Sequence, residues 1–219
     1  MTLLEKFPDP FSPRQIQKDI LDEIEVKLQS GYKKIVICAP TGVGKSLVGA
    51  TISNYFDSSF TVTASKHLQD QYIKDIPFLK PVKGKQNFPC LKLMDAEKVD
   101  YDREAMRGGL TCDKGQCQER INKNGKEVVQ VCKFKPTIKK VEDNTHDSLS
   151  CHYYLQKYDA LVSKHSLWNY HAFFTIMKYN KKLFADYLNR KVTVFDEAHK
   201  IEDQIIQFVG FDIFAGQVD

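Results

Sequence analysis

Three stretches of this chain hold residue types that do chemistry only in company. "APTGVGKS" at 39–46 brings two glycines, a lysine and a hydroxyl into one turn. "VTVFDEAH" at 192–199 ends an apolar run in two carboxylates and an imidazole. "TCDKGQC" at 111–117 places two thiols five positions apart with a glycine between them. The first suits phosphate, the second a divalent cation and an attacking water, the third a metal.

The phosphate reading rests on backbone geometry. Gly42 and Gly44 let the loop turn its N–H groups inward, and Pro40, Thr41 and Val43 complete the cradle. Lys45 supplies a point charge between β- and γ-phosphate, and Ser46 offers a hydroxyl to Mg²⁺. The general P-loop pattern opens on Gly, and this chain has Ala39 there. The turn glycines and the Lys–Ser pair keep the mechanism intact. At the other stretch, Asp196 and Glu197 emerge from the C-terminal end of an apolar strand, the ligand edge of a parallel sheet. Asp196 is placed to hold Mg²⁺, largely through water, and Glu197 to orient and deprotonate the attacking water.

The elements that must position these residues follow from periodicity. "FSPRQIQKDILDEIEVKLQSG" reads as a helix capped by Ser12, with Pro13 at its first position and Gln15 closing a capping box. Ile16, Ile20, Ile24 and Leu28 form its buried stripe, and Gly31 ends it. "KKIVICA" reads as a buried strand feeding the loop, with Cys38 as an apolar core residue. A helix follows to about Phe56, then a strand at 60–65, a helix around "KHLQDQYIKDI", and a last buried strand at 191–195. Strands alternating with helices predict a parallel α/β sheet.

Lys45 and Asp196 are separated by 151 positions. Two or three βαβ units need only about 60–90 residues. The surplus matches a stretch from Lys80 to Ser150 where periodicity fades. Residues 80–140 hold 15 Lys/Arg against 8 Asp/Glu, while the rest of the chain holds 17 against 20. A basic insert on a slightly acidic body suits a polyanion partner or a solvated lysine-rich loop. Five of the six cysteines (Cys90, Cys112, Cys117, Cys132 and Cys151) fall in or beside it. The expected organisation is 1–79 as the first part of an ATPase domain, 80–151 as the cysteine-rich insert, and 152–219 as the return.

The composition, 42% hydrophobic and 27% charged, excludes disorder. No apolar run reaches membrane-spanning length. "MTLLEKFPDP" is too charged and too Pro-broken for a secretory signal. A cytoplasmic, nucleoid-associated or nuclear protein is expected, not a secreted one. Clustered thiols in such a chain argue for metal over disulfides.

Taken in order, the motifs resemble the XPD/DinG-like iron–sulfur DNA helicases of superfamily 2. "FSPRQIQ" is similar to the adenine-reading segment, which the resemblance assigns to Arg14 and Gln17. "APTGVGKS" and "TASKHLQDQY" are similar to motifs I and Ia, and "DEAH" to motif II, with His199 coupling nucleotide to DNA-moving parts. "KGKQNFPC" and "CHYYLQKYDALVSKHSLWNYHAFF" resemble the segments carrying the outer cluster cysteines, Cys90 and Cys151. Cys112 and Cys117 resemble the inner pair, and Cys132 is a fifth thiol able to replace one of the four.

The resemblance implies a RecA-like P-loop sheet with helices on both faces, an inserted Fe–S subdomain, and ATP, Mg²⁺ and a [4Fe–4S] cluster as cofactors. Four thiolates also suit structural zinc, the alternative to the cluster. It also implies ATP-driven 5′→3′ DNA unwinding. Lys83, Lys85, Phe88, Lys92, Lys133, Phe134, Lys135, Tyr153 and Tyr154 have the charge-plus-ring composition that grips single-stranded DNA. "WNY" at 168–170 and the polar face of "KHLQDQY" are further DNA-facing candidates. The chain is expected to stop before the second motor domain that supplies an arginine finger, and so to hydrolyse ATP slowly and unwind nothing alone. Two other classes fit the residues: a P-loop NTPase with a structural zinc insert that does not translocate, and a non-catalytic ATP- or DNA-binding module.

Overall fold

In the computed structural model, residues 2–99 and 108–210 are described, so the closing stretch 211–219 lies outside the described residues. In chain order the elements are helices α1 (Gln15–Gln29) and α2 (Lys45–Tyr55), strand β1 (Ser59–Thr63), helix α3 (Lys66–Asp75), strand β2 (Lys80–Pro81) and helix α4 (Leu91–Glu97). Strands β3 (Gln118–Lys123) and β4 (Lys126–Val131) come next, followed by helices α5 (Ile138–Glu142) and α6 (His152–Val162). Strand β5 (His165–Asn169), helices α7 (Tyr170–Tyr179) and α8 (Ala185–Leu188), strand β6 (Val192–Phe195) and helix α9 (Ile201–Val209) complete the described chain. Two compact units emerge, one of residues 1–80 and 164–219, the other of 81–163.

The first unit is an α/β layer structure. Its sheet has the order β2-β5-β1-β6, with β1 parallel to both β5 and β6. Alternation along β1 sends its side chains to opposite faces. Thr61 meets Ser53 of α2 at 2.9 Å, and Leu167 of β5 joins Ala50 and Tyr72 in one cluster, so α2 and α3 cover that face. Phe60 packs edge-on against Trp168 and against Phe173 of α7, which covers the other. Helices on both faces of a parallel sheet is the architecture the alternating pattern predicts.

Three sequence expectations need correction here. Helix α1 starts at Gln15 with Arg14 as its N-cap, and its buried side is Gln17, Leu21 and Ile24, while Ile16 is exposed. Ile20, Ile24 and Leu28 of the expected stripe do pack on the core, which extends to Leu21 and to Gln17, a polar residue spent on the phosphate loop described below. The run Lys33–Ala39 forms no strand: Val36 is 91% exposed and Cys38 is exposed, with only Ile35 packed against the core. β-Branched propensity makes a strand only where a neighbouring strand takes up its N–H and C=O groups, and here no strand among the described residues does. Strand β6 likewise lies at the sheet edge, which leaves Phe195 partly exposed.

The second unit is built around thiols. Cys90, Cys112 and Cys151 are buried in one cluster, with Phe88, Leu93, Phe134, Tyr153 and Tyr154 packed against them. Among the described residues no helix is long and apolar enough to cross a membrane.

Candidate nucleotide site and cysteine recess

The phosphate loop has the backbone its sequence requires. Gly42 and Gly44 take φ of +82° and +84°, a region that L side chains rarely occupy. Gly44 is the N-cap of α2, so the helix begins at Lys45 with its N-terminal dipole aimed at the loop. A methyl group on Gly44 would meet Gln17 Nε2 at 2.5 Å and Arg14 Nη2 at 3.2 Å. The same two side chains grip the loop from α1: Arg14 Nη2 donates to the Val43 carbonyl at 3.3 Å, and Gln17 Nε2 to that of Gly44 at 3.3 Å. Gln17 is itself held, its Oε1 accepting the Arg14 backbone N–H at 2.9 Å. Lys45 Nζ donates to the Ala39 and Pro40 carbonyls at 3.0 and 3.3 Å, which folds the ammonium over the loop.

The fold brings motif II to this loop. Asp196 donates its backbone N–H to Val62 at 2.8 Å, which continues the β1–β6 ladder by one residue. The Ser46 hydroxyl donates to Asp196 Oδ2 at 3.3 Å across 150 residues of chain. A hydroxyl and a carboxylate so placed are the donor set a Mg²⁺–nucleotide complex uses. Glu197 adopts φ of +55°, uncommon for a residue with a Cβ and recurrent at functional positions. Its backbone N–H donates to Asp196 Oδ1 at 3.0 Å, and His199 Nε2 lies 3.3 Å from its Oε2.

Two tyrosines complete the site, and neither is legible as a motif. Tyr72 is 2% exposed and its hydroxyl donates to Asp196 Oδ2 at 2.9 Å. Burial, and then the Asp196 charge, push its pKa well above the usual phenol value, so it stays a neutral donor. Tyr170 donates to the Asp196 carbonyl at 3.1 Å, and burial with the two nearby acids raises it to about 12. Gln69 and Tyr72 on the buried side of α3, with Ile76 just past its end, recur at i, i+3, i+7, and that spacing is the one sequence signal for Tyr72. The DNA-facing role expected for the two aromatics of "WNY" is overturned, while the polar face of "KHLQDQY" (Lys66, His67, Asp70 and Gln71) is exposed. Trp168 is 1% and Tyr170 0% exposed, since the one lies on β5 and the other opens α7, both within the core.

Tyr72→Phe is expected to weaken Mg²⁺-dependent ATP binding about tenfold, matching the loss of one hydrogen bond to a charged group. Metal-free nucleotide binding stays unchanged. Titration of a fluorescent nucleotide with and without Mg²⁺ checks it, and equal losses in both would assign Tyr72 a packing role only.

In the other unit, Cys90, Cys112, Cys117, Cys132 and Cys151 all line one recess, together with Phe134, Lys135 and Tyr154. Among the described residues no three His, Cys, Asp or Glu side chains stand preassembled as a metal group. The thiols share a wall without converging on a point. Cys112 Sγ lies 3.8 Å from Cys151 Sγ and 3.2 Å from the Pro89 carbonyl. The thiol–thiol contact, and then burial, raises the Cys112 thiol, and the same contact lowers Cys151 to about 6. Backbone N–H groups of Tyr154 and Tyr153 at the start of α6 assist the Cys151 thiolate. A Cβ on Gly115 would lie 2.3 Å from Cys90 Sγ, so this turn must be glycine to pass the thiol. Lys85 Nζ stands 3.8 Å from Cys117 Sγ. Lys85, Lys133 and Lys135 lie over the rings of Tyr153, Phe134 and Tyr154 at 5.8, 4.8 and 4.6 Å. Of the expected lysine–aromatic set, Lys92, Phe134, Lys135 and Tyr154 line the recess. A donor set of thiols, with cations beside them, fits an anionic thiolate-bound centre.

No curated protein matches the chain. A family model described as "Type III restriction enzyme, res subunit" matches residues 10–214, nearly its whole length. That span holds both halves of the nucleotide site, and the chain belongs to this family, as a superfamily-2, helicase-type ATP-binding motor domain.

Proposed function

We propose that this motor domain is of the XPD/DinG type, the first motor domain of an ATP-driven 5′→3′ DNA helicase with a thiolate-bound [4Fe–4S] centre in its insert. The observation that carries the reading is the five-cysteine recess in a chain that also pairs a P-loop with a DEAH strand. The proposed organisation is 1–79 and 152–219 for the motor and 80–151 for the cysteine-rich insert.

At the nucleotide, Lys45 neutralises the phosphates, the N–H groups around Gly42 and Gly44 cradle them, and Arg14 and Gln17 stiffen the loop from behind while reading adenine. Ser46 and Asp196 would hold Mg²⁺, which supplies charge neutralisation when bound. Tyr72 aims the Asp196 carboxylate. Glu197 takes the proton of the attacking water, and His199 beside it passes the state of the site to the DNA-moving parts. In the insert, Cys90, Cys112 and Cys151 would hold the cluster together with Cys117 or Cys132. Bound iron and sulfide would cross-link a segment with little apolar core of its own.

Iron, acid-labile sulfide and zinc measured on protein purified without oxygen test the reading. About four irons and four sulfides per chain are expected. One zinc and no sulfide would replace the helicase assignment with a P-loop NTPase bearing a structural zinc insert. DNA-stimulated ATP hydrolysis by a chain that includes a second motor domain is the matching functional readout.

A further inference from the structure

Strands β3 and β4 form a two-stranded antiparallel ribbon that closes on Asn124–Gly125, whose φ values of +54° and +78° make the type I′ turn that Asn-Gly favours. No other named element packs substantially on it, and every residue of β4 is exposed. An isolated ribbon of this kind is marginal in water and needs support from elsewhere. Part of that support is at its base, where Cys132 donates its backbone N–H to the Cys117 carbonyl at 3.0 Å. The ribbon thus springs directly from two thiols of the recess. Lys92 adds an ion pair to Glu119 near the same end.

The tip is arranged the other way. Lys123 and Lys126 are direct cross-strand partners flanking the turn, both exposed, and neither pairs with a carboxylate among the described residues. Like charges directly opposite one another destabilise a hairpin. Behind them on the same face lie Ile121 and Val128, and on the other face Arg120, Val129 and Val131. Val128, Val129 and Val131 are 43%, 55% and 48% exposed. An anion between the lysines would relieve their repulsion, and a ribbon bare on both faces can enter a groove.

We infer that this ribbon is a duplex-DNA contact, with Lys123 and Lys126 on backbone phosphates and the ribbon in the major groove. The inference rests on the DNA-helicase reading above, whose substrate includes duplex DNA, and adds the element that grips the duplex. The B-form major groove is wide enough for a two-stranded ribbon, whereas the A-form groove of duplex RNA is deep and narrow.

The test is fluorescence anisotropy on the full chain and its Lys123→Ser/Lys126→Ser variant, against a short DNA duplex, the matching single strand and duplex RNA across a salt series. The variant is expected to bind duplex DNA about 10-fold or more weakly near 0.1 M salt, with the log–log salt slope lowered by about 2. Single-strand affinity should stay unchanged, and duplex RNA should not distinguish the two proteins. Its thermal midpoint should not fall, because the substitution removes a repulsion. Equal duplex binding and slope in both proteins would overturn the ribbon contact while leaving the motor reading standing. So would an equal loss on single strands, by removing the preference for duplex. Failure of the unmodified chain to bind any DNA would take down both.

Discussion

Gly44→Ala is expected to weaken ATP binding by about 100-fold or more, and Gly42→Ala by only about tenfold. Both residues sit at nearly the same positive φ, so both substitutions incur the left-handed cost of an L residue, roughly 1–2 kcal/mol, equivalent to about tenfold. They differ in what a new methyl meets. At Gly42 nothing lies within 4 Å, whereas at Gly44 the methyl would overlap the Gln17 amide at 2.5 Å. Gln17 cannot retreat freely, since it is buried and holds both the Gly44 carbonyl and the Arg14 N–H. Displacing it unlatches α1 from the loop and spoils the convergence of N–H groups on phosphate. Adding Gln17→Ala to Gly44→Ala should then cost less than the two single changes combined. Calorimetric titration of Mg²⁺–ATP into the unmodified chain and the four variants measures this. Equal losses at the two glycines would dismiss the α1 latch.

Cys112→Ser is expected to strip the bound metal to less than about a tenth of its normal content and to open residues 81–163 to protease. Cys112 is 2% exposed, contacts Cys151, and belongs to the buried thiol cluster that forms this unit's core. Serine would leave a small hydroxyl among sulfurs that neither coordinates as well nor fills the space. Cys38→Ser is the matched control, because Cys38 is exposed and lies in the other unit. Elemental analysis with limited proteolysis reads both effects. Full metal content in Cys112→Ser would remove Cys112 from the ligand set. Cys117 and Cys132 face each other across the ribbon base, so single changes there are expected to be milder than the loss of both.

The nucleotide site was legible in the sequence because its parts obey local rules. A loop needing positive φ shows as glycine, and a strand ending in acids shows as "VTVFDEAH". Those rules also placed α2, α3, β1 and β6 to within a few residues. The remainder depended on pairing across distance. "KKIVICA" has strand composition, yet a strand is a property of two neighbours, and composition carries no word of the second. Ser12 and Pro13 have the chemistry of a helix start, but Gln17's grip on the phosphate loop draws the first turn onto Arg14. Tyr72 escaped notice because its partner lies 124 residues away. Trp168 and Tyr170 show the same limit from the other side, since an aromatic beside an asparagine reads alike in a binding face and in a core.

The edge position of β6 has a mechanical consequence. Asp196 and Glu197 are carried on a strand that pairs with β1 alone among the described residues, with α2 pressing Val194 from one face and Tyr170 and Phe173 packed on Phe195. A small tilt of β6 would move both carboxylates, and the Ser46, Tyr72 and Tyr170 hydrogen bonds to Asp196 are what resist it. Any chain that paired with the free edge would stiffen that mounting. The rate of water attack and the occupancy of the sheet edge would then respond to one lever.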